Sequence, residues 1–178
     1  MHPRIAWQQA TAIAPVLNVG CESDPAQLGQ LPGSVNLDID RWRGHPRFVQ
    51  ADAVALPFKD RSFATVALCE CLDHIERPVE AIKEAARVAS RMVIATLPAD
   101  DGGCEPPDHW RVHLEHLKGL GLAAVGPGSN LAKRHGHKDH WLRTDVEQLF
   151  AAVNAHFELT GPHGFSPPEW HIVMEMDR

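Results

Sequence analysis

The sequence predicts an α/β fold built on a doubly wound, mostly parallel sheet, and three observations predict it. First, Val16-Leu17-Asn18-Val19 runs into Gly20, and a short crossover leads to Val35-Asn36-Leu37-Asp38-Ile39, which ends in the carboxylates Asp38 and Asp40. Second, Ala64 to Cys69 is an uninterrupted apolar run, the pattern of a central strand buried on both faces. Third, Pro78 opens an amphipathic stretch that leads directly into another apolar run, Arg91 to Leu97. Strands that alternate with helices pair in parallel through right-handed crossovers.

Each element has its own signal. Ile5 to Ile13 shows near-helical spacing around Trp7 and stops before Pro15, which predicts a short N-terminal helix or arm over residues 1–14. The first strand covers Val16 to Val19. The crossover from Gly20 to Gly33 has room only for a very short helix, capped by Ser23 or Asp24 with Pro25 at its first position. The second strand covers Val35 to Ile39, and Arg47 to Gln50 suggests a third just before Asp52.

Past the turn-rich link Leu56 to Phe63 and the strand Ala64 to Cys69, the helix from Pro78 puts Val79, Ile82, Ala85, Ala86 and Val88 on one face. Glu80, Lys83, Glu84 and Arg87 lie on the other. Trp110, His113, Leu114 and Leu117 follow Pro106-Pro107 at helical spacing, and Gly126 to Gly136 is a glycine-rich basic loop. Thr144 and Glu147 form a capping box for a helix carrying Val146, Leu149, Phe150 and Val153. Phe157 to Thr160 and His171 to Met176 supply two last strands.

Composition bounds the rest. A chain of 178 residues with 44% hydrophobic content forms one domain, 1–178. A net charge of −6 argues against tight binding to a nucleic-acid backbone and favours a small-molecule or protein substrate. Four cysteines at 21, 69, 71 and 104 include no C-x-x-C pair, which points to reduced thiols and a cytoplasmic setting, with Cys69 and Cys71 read as ordinary strand residues. Met1 to Ala14 lacks the pattern of a signal peptide, and no run is long enough to span a membrane.

The strand–Gly20–strand unit has the layout of a nucleotide site: a backbone that a ligand can approach, and an acid at the next strand end for ribose hydroxyls. A dinucleotide fingerprint needs G-x-G-x-x-G, whereas Gly20 is followed by Cys21, Glu22, Ser23 and Asp24, whose acids repel phosphate; NAD and FAD are disfavoured. This stretch resembles the first motif of the class I S-adenosylmethionine (SAM) dependent methyltransferases, whose ligand carries a ribose and a sulfonium but no phosphate. Asp52-Ala53 with Leu56-Pro57-Phe58 is similar to the family's D-A-x-x-L-P-F segment. Phe63 to Ile75 (FATVALCECLDHI) is similar to its F-D-x-V-x-x-x-x-x-L-E-H-I segment, and Glu84 with Arg87-Val88 to its E-x-x-R-V. The likeness spans residues 16 to 176 and is of the methyltransferase type 11 kind, with a degenerate glycine motif: Asn18 stands for a usual acid, Glu22 and Asp24 for glycines, and Ala64 for an Asp.

The resemblance implies a Rossmann-like methyltransferase fold with a seven-stranded sheet and an antiparallel final strand, and SAM as cofactor. It implies that Asp38 holds the ribose, Ile39 packs on adenine, and Asp52, beside Ala53, accepts from the adenine amino group. Asn18, Gly20, Cys21 and Cys69 would line the methionine end. Read without the family, Asp38 and Asp40 are strand-end turn acids, His74 is a capping or packing residue, and Cys21 is a small buried side chain.

Of 12 histidines, six fall between residues 100 and 141: His109, His113 and His116 on one helical face, and His135, His137 and His140 in the basic loop with Lys133, Arg134 and Lys138. No H-E-x-x-H or zinc-finger spacing occurs, so no metal is expected. Residues 100–141 are expected to form a substrate lid, with His137 or His140 as candidate general base against the commoner solvated role. Two functions follow: methyl transfer from SAM to a small-molecule acceptor, or a catalytically degenerate binding or assembly protein on the same fold.

Overall fold

Alternating β-branched and apolar runs predict strands that must each bury two faces, and the computed structural model shows how they do so. It describes residues 3–21, 31, 34–40, 47–72, 75–98, 143–153, 156–163 and 169–176. In chain order the elements are α1 (Pro3–Thr11), β1 (Val16–Val19), β2 (Val35–Asp38), β3 (Phe48–Gln50), β4 (Phe63–Cys69), α2 (Pro78–Val88), β5 (Ala89–Pro98), α3 (Arg143–Ala151), β6 (Phe157–His163) and β7 (Glu169–Glu175).

The strands form one seven-stranded sheet in the order β3-β2-β1-β4-β5-β7-β6. β1 pairs in parallel with both β2 and β4, and the run continues in parallel to β3 and β5. β7 is antiparallel to β5 on one side and to β6 on the other, so β7 alone is reversed. Strand order turns back between β1 and β4, the switch point outside which ligands bind in open α/β sheets.

Side-chain alternation sorts the two faces. On one, Leu17, Val19, Leu37, Val66, Leu68, Val93, Ala95, Leu97, Ile172 and Met174 pack with Val79, Ala81, Ile82, Ala85 and Val88 of α2 and with Val146, Leu149 and Phe150 of α3. This is the main core. On the other, a smaller cluster of Val16, Leu31, Ala67 and Ile94 packs against Trp7 of α1, Cys69, Met92 and Val173. Thr65 ties α1 to that face: its hydroxyl accepts from Ile13 N–H and donates to Ile13 C=O, each at 2.9 Å.

The structure adjusts several expectations. α1 ends at Thr11, two residues short of Ile13. β2 stops at Asp38, leaving Ile39 60% exposed beyond the ladder. α3 begins at Arg143, so Thr144 lies in its first turn and does not flank it. β4 ends at Cys69; Glu70 turns through φ 55°, and Cys71 lies past the strand. The predicted crossover helix, the helix from Pro106, the basic loop and the 100–141 lid fall outside the described residues, apart from Leu31, which is buried at the end of the crossover.

Candidate functional site

The expected cofactor residues come together at the carboxyl ends of β1, β2, β3 and β4, beside the switch point. Gly20 follows β1 with φ 71°, a conformation that L side chains rarely adopt. A Cβ at Gly20 would overlap Cys71 Cβ, so packing against the segment after β4 demands the glycine as much as the turn does. Both Gly20 N–H and Cys21 N–H donate to Leu37 C=O, at 2.8 and 3.2 Å. With those two donors spent on β2, neither is available to a phosphate, in contrast to the free amides that line dinucleotide loops.

Asp38 closes β2, is 7% exposed, and accepts from Asp40 N–H through Oδ1 at 2.9 Å. Its own C=O accepts from Ala51 N–H at 3.0 Å, linking it to the strand that delivers Asp52. Ile39, next to it, is one of two exposed large apolar residues among the described ones and offers a flat apolar surface at the sheet rim. Asp52 is exposed, and Val54 N–H donates to its Oδ1 at 3.1 Å, which ties one carboxylate oxygen to the turn. Ala53 is half-buried beside it. Asn18 lies one position before Val19, and its carboxamide reaches Asn36 Oδ1 at 3.4 Å on the neighbouring strand.

Cys69, half-buried, ends β4 opposite Thr96 of β5, and Thr96 in turn lies opposite His171 of β7. Thr96 is fully buried, and among the described residues its hydroxyl finds no hydrogen-bond partner. His171 is 2% exposed, and its ring stacks on Trp7 of α1 with centroids 4.2 Å apart. Sequence reasoning missed Thr96 and His171. The available signal was that both fall on the same strand phase as Cys69 once the β4–β5–β7 register is known, and register is not visible in a single sequence.

Sequence reasoning placed Glu84 and Arg87 on the polar face of the helix and likened them to the E-x-x-R-V segment, without giving them partners. Arg87 forms a bidentate pair with Glu84, Nε to Oε1 and Nη2 to Oε2, both at 2.8 Å, and a 2.7 Å ion pair from Nη1 to Asp60. It also donates to Leu56 C=O and Phe58 C=O, at 3.0 and 2.9 Å, while Glu84 Oε2 accepts from Leu56 N–H at 2.9 Å. Hydrogen bonds from Arg87 hold the Glu84 carboxyl below its usual range against the opposing pull of burial, and Glu84 with Asp60 raises the Arg87 guanidinium.

Glu22, Asp24, His74, His135, His137 and His140 lie outside the described residues. Among the described residues no group of three metal-ligating side chains gathers, and no helix is long and apolar enough to cross a membrane.

Comparison with known proteins bears on the fold that carries these residues. The family model described as a methyltransferase domain (Methyltransf_11) matches residues 19–93, the stretch from the end of β1 into β5. No curated protein matches the chain. The YcgJ protein of Bacillus subtilis superposes with a TM-score of 0.56 at 14% identity, over 92% of each chain. A SAM-dependent methyltransferase of Methanosarcina mazei gives 0.57 at 13% identity, over 99% of this chain and 98% of that one. One from Thermotoga maritima gives 0.56 at 14%, over 91% and 82%. The strand order and the single reversed strand β7 give this chain the fold of the methyltransferase structures it resembles, and the methyltransferase-domain match carries that similarity over residues 19–93.

Proposed function

We propose that the protein binds SAM across the ends of β1, β2 and β3 and transfers its methyl group to a small-molecule acceptor. The observation that carries this reading is the convergence of Gly20, Asp38 with Ile39, and Asp52 on three neighbouring parallel strand ends. The residues fit the group: Asp38 for the ribose hydroxyls, Ile39 for one adenine face and Asp52 for its amino group, with the Gly20–Cys21 turn at the methionine ammonium. SAM supplies an electrophilic methyl on sulfur. The chain's part in an in-line displacement is to align the acceptor's lone pair with that methyl and keep water out.

The acceptor is assigned to the ends of β4 and β5, where Cys69 and Thr96 stand side by side. An unsatisfied buried hydroxyl costs roughly 1–3 kcal/mol, and a polar group on the acceptor would recover it at Thr96. A general base is required only for an acceptor that must lose a proton. His137 and His140 of the expected lid remain the candidates for that role. The net charge of −6 favours a small acceptor over a nucleic acid.

The second reading, a binding or assembly protein without activity, draws on Glu22 and Asp24 at former glycine positions and on Asn18, whose carboxamide is engaged with Asn36. Titration calorimetry with SAM and with S-adenosylhomocysteine separates the two. Micromolar binding of both supports the cofactor site, and absence of heat with either ligand removes it.

A further inference from the structure

We propose that Glu84 and Arg87 are positioning residues for adenine recognition: they lock the loop after β3 so that the Asp52 carboxylate meets the exocyclic amino group of an adenine. The assignment rests on the cofactor reading above.

The loop is short and held at both ends. Its start is tied to β2 by Ala51 N–H donating to Asp38 C=O at 3.0 Å. From Asp52 the chain folds back at once, with Val54 N–H on Asp52 Oδ1 at 3.1 Å and Ala55 N–H on Asp52 C=O at 3.0 Å. The next residue, Leu56, is where α2 takes hold: its N–H donates to Glu84 Oε2 and its C=O accepts from Arg87 Nη2. Phe58 C=O and the Asp60 carboxylate take the two donors of Arg87 Nη1.

All five N–H donors of the guanidinium are thereby used, three on carboxylates and two on backbone carbonyls. Such a fork fixes direction as well as distance, and a lysine cannot reproduce it. Leu56, 5% exposed, and Phe58, edge-on to Phe63 at 4.9 Å, seat the same loop on the core. With Leu56 fixed and only Ala53, Val54 and Ala55 intervening, Asp52 has no slack with which to re-aim. The exposed carboxylate is thus directed by a buried-side contact on a different element.

A purely structural staple would affect stability and every ligand alike. A positioning role affects one chemical comparison: S-adenosylhomocysteine against S-inosylhomocysteine, in which a carbonyl oxygen replaces the amino group and would face the carboxylate. One charged hydrogen bond corresponds to a preference of roughly tenfold to a hundredfold. Calorimetry on the full chain should show that preference in the wild type. In Arg87→Lys and Glu84→Gln it should fall towards unity, as in Asp52→Asn, with the affinity for the inosine compound little changed. Urea unfolding confirms that each variant is folded under the assay conditions. Variants that keep the wild-type ratio overturn the proposal, however far their stability falls. A wild type that binds neither compound overturns the cofactor reading itself, and the proposal with it. A wild type that binds both equally leaves SAM binding standing and overturns the proposal.

Discussion

Gly20→Ala is the most exacting test of the turn at the centre of the site, because two separate costs can be worked from the structure. Gly20 has φ 71°, and placing an L residue in that region costs about 1–2 kcal/mol. The new Cβ would also overlap Cys71 Cβ, and no rotamer change relieves this, since the backbone fixes both atoms. Overpacking of this kind costs about 1–3 kcal/mol. The sum, roughly 2–5 kcal/mol, is a large part of the 5–15 kcal/mol typical of a domain, so the urea midpoint should fall by about 1 M or more at an ordinary m-value. Cys71→Gly removes the overlapping atom. In a double-mutant cycle Gly20→Ala and Cys71→Gly should therefore couple favourably by about 1–3 kcal/mol, with the φ strain left uncorrected. Equilibrium urea unfolding of the four proteins at constant m-value is the assay. A Gly20→Ala protein within about 0.5 kcal/mol of wild type, or a cycle with no coupling, would refute the argument.

Other expectations are more local. Asp38→Ala and Asp52→Ala should each weaken SAM roughly tenfold to a hundredfold by calorimetry; each strips a backbone N–H of its acceptor, Asp40 and Val54 respectively, and the unfolding midpoint should fall further for Asp38→Ala, because Asp38 is buried and Asp52 is exposed. Glu84 has a folded-state pKa depressed by Arg87, so its contribution to stability is present above the unfolded value near 4.5 and lost as pH falls through the lower folded value. The stability gap between wild type and Glu84→Gln, followed by urea unfolding against pH, should be constant near neutrality and close in acid; a gap that widens in acid contradicts the assignment. Thr96→Val keeps shape while removing an unpaired hydroxyl, so it should leave the protein as stable or up to about 1–3 kcal/mol more stable, and raise the acceptor KM if Thr96 meets the acceptor. Replacing His135, His137 and His140 together by Gln should abolish turnover and spare SAM binding; full activity would dismiss the lid histidines.

The fold was legible because each of its signals is local. Val16 to Val19 between Pro15 and Gly20, the apolar run Phe63 to Cys69, and the amphipathic run that Pro78 opens are each read from neighbouring residues, and the structure reproduces them to within a residue. The strand-end acids were legible for the same reason, as they punctuate the runs. What escaped depends on partners distant in sequence. Glu84 and Arg87 occupy polar helix positions whose periodicity says only that they avoid the core, yet their partners lie 28 to 31 residues earlier, at Leu56 and Phe58. Thr96 and His171 share a cross-strand position set by the β5–β7 register across a long connection. Cys71 was read as a strand residue because nothing in the run reveals that Glu70 turns out of the ladder at positive φ.

The glycine shows how a correct expectation can rest on an incomplete reason. Gly20 was expected to be glycine so that a ligand could approach the backbone, but Cys71 already forbids a side chain there with no ligand present. Among the described residues the N–H groups of Gly20 and Cys21 are committed to Leu37, so neither contributes to an amide cradle. A phosphate ligand would need that cradle, whereas a ligand bearing an ammonium and a sulfonium needs carbonyl oxygens and acids. Glu22 and Asp24, at positions where the family has glycine, are therefore of the right charge for the methionine end of SAM even though they are of the wrong size. The same substitution that rules out a dinucleotide is electrostatically compatible with a sulfonium cofactor, and this is why the departure from the glycine motif weighs less against SAM than it does against NAD.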